Sequence, residues 1–174
     1  MIFATVGTHE DPFDRLVRAL DELPTDEPIV IQTGYSTGVP RRATAEKMMG
    51  FVRVNSLMAE ARIVITHGGP ASIMQALAHG KVPIVVPRQS AFGEHVDDHQ
   101  VRFAKRISDR VIVVLDIADL GPAIAEHAQR VAGLGGGTYG PERARMFAEK
   151  LDALCEEVLS RPRWTLRRRR AVVG

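Results

Sequence analysis

The segment at residues 67–72 has the residue types and spacing of an anion site. It reads HGGPAS and follows the apolar, β-branched run RIVIT. Pro70 suits the first position of a helix, because an amide there would have no acceptor within the helix. The amides of Ala71 and Ser72, the Ser72 hydroxyl and the positive end of the helix dipole would then face a ligand. This pattern predicts a diphosphate site, and the alternative is a glycine turn that closes on itself.

A second glycine turn and a polar segment also follow apolar runs. Gly7, Thr8 and His9 come directly after the first run, where glycine lets a ligand approach the backbone and the threonine adds a hydroxyl. A tight, capped turn is the alternative there. Residues 87–100 (PRQSAFGEHVDDHQ) hold side chains that could bond several sugar hydroxyls at once or begin and cap a helix. These side chains are His95, Asp97, Asp98, His99 and Gln100.

The spacing of His95 and His99 would let both contact one metal ion from one helix face. No glutamate follows His95 as in the H-E-x-x-H motif, and the sequence specifies no third ligand. We therefore expect no metal at this site.

Short apolar runs alternate with amphipathic segments along the chain. We predict strands at residues 2–6, 28–32, 51–54, 62–66, 82–86 and 111–114. Helices are predicted at residues 11–23, 70–79, 96–107, 118–131 and 141–159, with a short helical turn at 56–61 and a long loop at 34–50. This alternation is typical of an α/β fold with a doubly wound, mostly parallel, Rossmann-like sheet. Ligands of such sheets bind at the carboxyl ends of the strands, which is where the three polar segments lie.

The chain of 174 residues is expected to form one domain followed by a tail. We place the domain at residues 1–159, with a glycine-rich link at 133–140 before the last helix, and a basic tail at 160–174. The link contains the string G-x-G-x-x-G, but it follows a helix rather than a strand. We therefore interpret it as a linker and not as a dinucleotide site.

Charge is distributed unevenly along the chain. The net charge is +2, yet residues 161–174 hold six arginines and no acid, which leaves 17 basic and 21 acidic residues in the rest. The acidic body argues against nucleic-acid binding. The tail could meet phosphates, anionic lipid or an acidic partner, or remain solvated.

No apolar run is long enough to cross a bilayer, no signal peptide is visible, and the single Cys155 fits a reducing compartment, so we expect a cytoplasmic protein.

The run ITHGGPASIMQALAHGKVPIVVPRQSAFGEHVDDHQ resembles the donor-binding, C-terminal domain of family 28 glycosyltransferases. The start MIFATVGTHEDPFDRLV and the later IQTGYS and FVRV also fit, so the resemblance covers roughly residues 1–130. It is greatest to the small catalytic subunits of two-part UDP-sugar transferases, namely those of the dolichol pathway and of bacterial exopolysaccharide synthesis. The resemblance implies half of a GT-B fold that binds a UDP-sugar and needs no metal cofactor.

The resemblance also implies roles for individual residues. Val52 would read uracil through its backbone, and Gln75 stands where many relatives have a glutamate that binds the ribose hydroxyls. An amide lacks the charge-assisted bonds of a carboxylate, so the ribose contact is expected to be weaker. The remaining donor-binding positions are Gly7 and Thr8 near the phosphates, His67, Gly68, Gly69, Ala71 and Ser72 around the diphosphate, and His99 and Gln100 at the donor sugar.

The implied reaction is inverting transfer of a hexosyl group, in which an acceptor hydroxyl attacks the anomeric carbon and UDP leaves. His9 is a candidate general base, although the base could come from another chain. A full GT-B enzyme has two such domains, so we expect a membrane-associated partner subunit that holds a lipid-linked saccharide, in polysaccharide or glycolipid synthesis. The chain would then lie at the inner face of the membrane through its partner. A non-catalytic, nucleotide-sugar-binding regulatory subunit is the alternative function.

The donor sugar is left open between GlcNAc and glucuronate. A carboxylated sugar would require a cation near the site, and Arg88 or the pair Arg41 and Arg42 could supply it.

Overall fold

The computed structural model describes residues 1–134. Six strands form one all-parallel sheet in the order β3-β2-β1-β4-β5-β6. This order is that of a doubly wound Rossmann-like sheet. Strands β2 and β3 are added on one side of β1, and strands β4 to β6 are added on the other side. The strands are β1 (Ile2–Thr5), β2 (Ile29–Gln32), β3 (Thr44–Glu46), β4 (Ile63–Thr66), β5 (Ile84–Val85) and β6 (Ile112–Val113).

Helices connect the strands on both faces of the sheet. They are α1 (Asp14–Asp21), α2 (Phe51–Glu60), α3 (Pro70–Ala78), α4 (His99–Arg106), α5 (Leu120–Ala125) and α6 (His127–Gly133), with 3-10 turns at Ser90–Phe92 and Ile117–Asp119. No helix within residues 1–134 is long and apolar enough to cross a membrane.

The core explains why these short strands are stable. Ile2 of the central strand β1 pairs with Ile29 on one side and Ile63 on the other. Ile2 packs in a cluster with α1, whereas the next residue, Phe3, packs on the opposite face with α2. Both faces are therefore covered, which is why β1 and β4 are apolar and fully buried. The predicted α/β class and the mostly parallel sheet are confirmed.

The predicted strand at residues 51–54 is wrong, because these residues form the first turn of α2. Phe51 and Val52 are 74% and 81% exposed, so their apolar character does not reflect burial in a sheet. The third strand is instead β3, inside the segment predicted as a long loop. β3 is a polar edge strand that pairs Thr44 with Val30, and it carries no hydrophobic pattern by which to find it. The helical turn predicted at 56–61 belongs to α2 as well.

Other predicted boundaries differ by a few residues. The helix predicted at 118–131 is divided into α5 and α6 around Glu126. Its start lies in a 3-10 turn, where the carboxylate of Asp116 accepts a hydrogen bond from the amide of Ala118. The helix predicted at 96–107 begins only at His99. The helix predicted at 70–79 is confirmed as α3, and Gly80 follows it with a left-handed φ of 70°. Most of the link at 133–140, the helix at 141–159 and the tail at 160–174 lie outside the described residues.

Shortening Ile65 to alanine tests the central role of β4. Ile65 is fully buried between β1 and β5, so Ile65→Ala should leave a cavity and lower the free energy of unfolding by about 2–5 kcal/mol. Val39 is 85% exposed, so Val39→Ala should change it by less than about 0.5 kcal/mol. Urea denaturation of both variants measures the difference, and equal stabilities would contradict this account of the core.

Candidate functional site

Three polar segments meet at the carboxyl edge of the sheet. The turn at Gly7 follows β1, the turn at residues 67–69 follows β4, and the segment at 87–98 follows β5. β1 and β4 are neighbours at the point where the strand order reverses, and crevices at this point are the usual ligand sites of open α/β sheets. The three segments therefore lie at the carboxyl ends of the strands, as predicted.

The imidazole of His67 fills the space between the first two turns. Gly7 has a φ of 80°, and a Cβ atom there would lie 2.6 Å from ring atoms of His67. A Cβ atom at Gly69 would collide with Nε2 of the same ring. Both positions therefore require glycine, and the ring holds the two turns at a fixed spacing.

His67 is neutral at physiological pH. Burial of the ring, and then the positive charge of Arg88, lower its pKa from 6.5 to about 4. Its Nδ1 is buried and makes no hydrogen bond with any described residue. The predicted donor-binding role of His67 stays a prediction, and the contacts that the structure does provide are those with the glycine turns.

The start of α3 presents free amides. Pro70 is the first residue of the helix, and Gly69 before it has no side chain to cap the amides that follow. Ala71 is exposed and Ser72 is partly exposed, and no described residue accepts a hydrogen bond from either amide. These amides and the positive end of the helix dipole are suited to a phosphate or another anion.

Gln100 ties the turn after β4 to the segment after β5. Its Oε1 accepts hydrogen bonds from the amide of Gly68 at 3.1 Å and from the amide of Arg88 at 3.2 Å. Gln100 is 4% exposed, and a Cβ atom added at Gly68 would lie 2.6 Å from the Cβ atom of Gln100. The side-chain carbonyl is thus used to position the turn, which leaves only the Nε2 amide for the predicted contact with a donor sugar.

The residues predicted to bind uridine lie on two adjacent helices. Val52 is in the first turn of α2, and Gln75 is in α3. Gln75 donates from Nε2 to Oδ1 of Asn55 at 3.3 Å, and Nε2 of His79 lies 2.7 Å from the same oxygen. Gln75 therefore keeps its carbonyl oxygen as an acceptor for hydroxyl groups. Sequence reasoning missed Asn55, because its position one turn after Val52 is visible only when residues 51–60 are known to be helical.

Three histidines from the first and third segments lie in contact. The ring centroids of His9 and His95 are 4.3 Å apart, and those of His95 and His99 are 4.5 Å apart. Burial and the neighbouring histidines lower the pKa of His95, which favours its neutral form. The sequence places His9 on a different segment from His95 and His99 and gives no sign that the three meet.

The hydrogen bonds at Nδ1 distinguish the three rings. Nδ1 of His9 accepts from the Asp11 amide at 3.2 Å, and Nδ1 of His95 accepts from the Val96 amide at 2.9 Å. In the neutral state these two rings therefore carry a proton on Nε2 and donate from it. Nδ1 of His99 lies 2.6 Å from a carboxylate oxygen of Asp97, so its proton is held there and its Nε2 is free to accept. The cluster offers two donors and one acceptor.

The same cluster contains groups that could ligate a metal. His95, Asp97 and His99 each offer one ligand atom, and these atoms lie within 4.8 Å of one another. Nδ1 of His95 and of His99 is already hydrogen-bonded, and Asp97 also pairs with Arg102 at 3.2 Å. The expectation of a metal-independent site stays a prediction.

The arginines proposed to meet a carboxylated sugar do not present their guanidinium groups on the exposed surface of this edge. Arg88 is fully buried and its guanidinium is occupied by backbone carbonyls. Arg41 and Arg42 precede β3, at the amino edge of the sheet, where their amides bond to the carboxylate of Asp21. None of these three arginines is therefore placed to contact a ligand at the exposed surface of this edge.

These features are those of a doubly wound α/β domain that has a candidate anion site at the switch point of its sheet. Residues 1–130 match the glycosyltransferase family 28 C-terminal domain, and the chain belongs to this family. The chain therefore has a nucleotide-sugar-binding role of the glycosyltransferase type. No curated protein matches the chain by sequence.

Two solved structures share the fold. The chain aligns with the calicheamicin glycosyltransferase CalG4 at 20% identity and a TM-score of 0.52, covering 90% of this chain and 43% of CalG4. It aligns with the glycotransferase of kitacinnamycin at 19% identity and a TM-score of 0.53, covering 86% of this chain and 42% of that enzyme. The chain thus has the fold of a GT-B half and spans less than half the length of these proteins.

Replacing His67 with asparagine should flatten the pH dependence of stability. The pKa of His67 is about 4 when folded, against about 6.5 when unfolded, so between these values the unfolded state binds the extra proton. The free energy of unfolding is therefore at its full value above pH 6.5, where the ring is neutral in both states, and it decreases as the pH falls toward 4. From pH 7 to pH 5 this loss is about 2 kcal/mol, which urea denaturation at both pH values can measure. An equal loss in His67→Asn would show that another group is responsible.

Proposed function

We propose that this chain is the catalytic, donor-binding subunit of an inverting glycosyltransferase. It moves a hexosyl group from a UDP-sugar to a lipid-linked saccharide that a membrane-associated partner subunit holds. The observation that carries the proposal is the start of α3, where the amides of Ala71 and Ser72 have no acceptor among the described residues and lie beside the Gly7 turn. Family membership supports the transferase class.

The diphosphate of the donor binds at the glycine turns. The amides of Ala71 and Ser72 and the Ser72 hydroxyl donate to its oxygens, and the helix dipole adds positive potential. Gly68 and Gly69 let the phosphates approach the backbone, and Gly7 and Thr8 close the site from the β1 side. Charge that grows on the leaving diphosphate is stabilised by groups that are already in place.

The uridine lies along α2 and α3. The backbone of Val52 reads uracil, since the amides of the first helical turn have no acceptor within the helix. The carbonyl of Gln75, oriented by Asn55, accepts from a ribose hydroxyl. The donor sugar then extends toward His99 and the amide group of Gln100. GlcNAc and glucuronate both remain candidates, and the histidine cluster could bond the hydroxyls of either.

In the reaction, the acceptor hydroxyl attacks the anomeric carbon, its proton passes to a base, and the electron pair of the broken C–O bond stays on UDP. His9 is our candidate base, and it must first give up the Asp11 amide or change tautomer, because its Nδ1 is engaged. His99 is a second candidate, because the contact of its Nδ1 with Asp97 favours, in a neutral ring, the tautomer whose Nε2 can accept a proton. A base from the partner subunit is the third.

The surface around the site supports the proposal of a partner. The segments after β2 and β5 and the first turn of α2 expose large apolar side chains, namely Tyr35, Phe51, Val52, Phe92 and Val96. In GT-B enzymes a second domain covers this side, and this chain aligns with only 43% of CalG4. An acceptor-binding subunit would cover the apolar rim and exclude water from the cleft.

This assignment places the chain in the cytoplasm, at the inner face of the membrane, in polysaccharide or glycolipid synthesis. The basic tail at 160–174 would meet the membrane or the partner. A regulatory subunit that binds the donor without catalysing transfer is the alternative, and Gln75 in place of a glutamate is the residue that favours it.

Donor binding is tested by a matched pair of glycine substitutions. A Cβ atom at Gly69 collides with His67, whereas one at Gly133 meets nothing within 4 Å. Gly69→Ala should weaken UDP binding by about tenfold or more, and Gly133→Ala should leave it unchanged. Isothermal titration of the full chain with UDP, and a thermal-shift panel of UDP-sugars, give these values. Wild-type protein that binds no uridine nucleotide would overturn the proposed function.

Transfer is tested with membranes from cells that lack this chain. Purified wild-type protein should bind labelled UDP-sugar alone with little turnover, and should move label into the lipid extract only when membranes supply the partner and acceptor. His9→Gln should keep donor affinity, whereas His99→Gln should lower it, because we place His99 at the donor sugar. The variant that removes the base should lose transfer by about a hundredfold or more. Donor binding without transfer in the presence of membranes would favour the regulatory alternative. Full turnover by the pure chain would contradict the need for a partner.

A further inference from the structure

A buried arginine lies beneath the loops of the site. Arg88 follows β5, is fully buried, and is the largest fully buried side chain within residues 1–134. Its Nη1 donates to the carbonyls of Asp11 at 2.8 Å and Glu94 at 3.0 Å, with Pro12 at 3.4 Å, and its Nη2 donates to the carbonyl of Val6 at 2.9 Å. The side chain thus joins the loop after β1 to the segment after β5.

The charge of Arg88 has no direct counter-ion among the described residues. Its partners are neutral carbonyls, and the face of the Phe13 ring lies 4.8 Å from the guanidinium. The nearby carboxylate of Glu94 is already bound to Arg15, at 2.8 and 2.9 Å, and to the amide of Gln89. Burial lowers the pKa of Arg88, as expected for a cation held mainly by dipoles. A buried charge is costly unless it is compensated.

This cation adjoins both glycine turns. The carbonyl of Val6, which Nη2 contacts, belongs to the residue before Gly7. The amide of Arg88 shares the Oε1 atom of Gln100 with the amide of Gly68. After burial, Arg88 is also the next cause of the lowered pKa of His67, whose ring separates the turns. The positive potential of Arg88 therefore reaches the place where we put the diphosphate.

We propose that Arg88 stabilises the bound diphosphate through its charge without contacting it, while its hydrogen bonds hold the two loops in position. This inference rests on the proposed function. In a water-poor interior a fixed charge acts over a longer range than at the surface, and it needs no reorganisation as charge develops on the leaving UDP. A side chain that served only to join the loops would not be replaced by lysine, because an ammonium group cannot make the same set of bonds to the carbonyls as the guanidinium. A charge would affect the diphosphate selectively.

The test compares UDP with uridine, which lacks the phosphates, by NMR titration of the full chain. Arg88→Met should weaken UDP binding by about tenfold and uridine binding by less than about twofold. Arg88→Lys keeps the charge and should recover most of the UDP affinity. The pKa of His67, followed in the same spectra, should rise in Arg88→Met and not in Arg88→Lys. Arg42→Met is the matched control, because its guanidinium also bonds to two backbone carbonyls but lies at the amino edge of the sheet.

An equal loss of UDP and uridine affinity in Arg88→Met, with no recovery by lysine, would overturn the electrostatic role and leave a structural one. If Arg88→Met does not fold, Glu94→Gln carries the test. Removing this carboxylate raises the potential at the turns, so the preference for UDP over uridine should increase by about threefold, and an unchanged preference would overturn the inference. Failure of the wild-type chain to bind UDP at all would instead reject the proposed function, so the two failures are distinguishable.

Discussion

The close packing of one imidazole between two glycine turns is the constraint on which the candidate site depends. His67 occupies the volume that side chains at residues 7 and 69 would take, so the loops after β1 and β4 are held at one separation. The strands beneath them are in register, with Thr5 paired to Thr66. The candidate anion site is therefore already assembled in the folded chain, and an anion that bound there would cost little ordering entropy.

Electrostatics follow from the same packing. A protonated His67 would be buried beside Arg88, and the cost of that arrangement keeps the ring neutral, with a pKa of about 4. The positive potential at the turns then comes from the start of α3 and from Arg88, both of which are fixed by the fold. Neither source is an exposed side chain that must be ordered on binding. The site can thus favour an anion while its surface remains free of arginine and lysine at the turns.

Elements whose residues are buried could be predicted from the sequence, whereas the exposed edge strand and the contacts between distant residues could not. β1, β2, β4 and the start of α3 were found because apolar runs and Pro70 have strong local signals. β3 was missed because an exposed edge strand needs no apolar residue, and Phe51 and Val52 were assigned to a strand because their apolar side chains are exposed on a helix. The contacts of Asn55, Gln100 and Arg88 join residues distant in sequence. No local pattern records them, since they depend on the order of strands in the sheet.

The two parts of the candidate site differ in their exposure to water. The groups that would hold a diphosphate are buried or fixed, whereas His99 and Asp97 are about half exposed, at 47% and 51% of their side-chain surface. Water at such a surface weakens hydrogen bonds and competes with an acceptor hydroxyl. Proton transfer in this cluster would therefore need a second surface to exclude water, and the apolar rim around it is suited to such a contact. Under the proposed function, the chain would supply a preorganised donor site, and the partner would supply both the acceptor and the low dielectric in which the cluster can act.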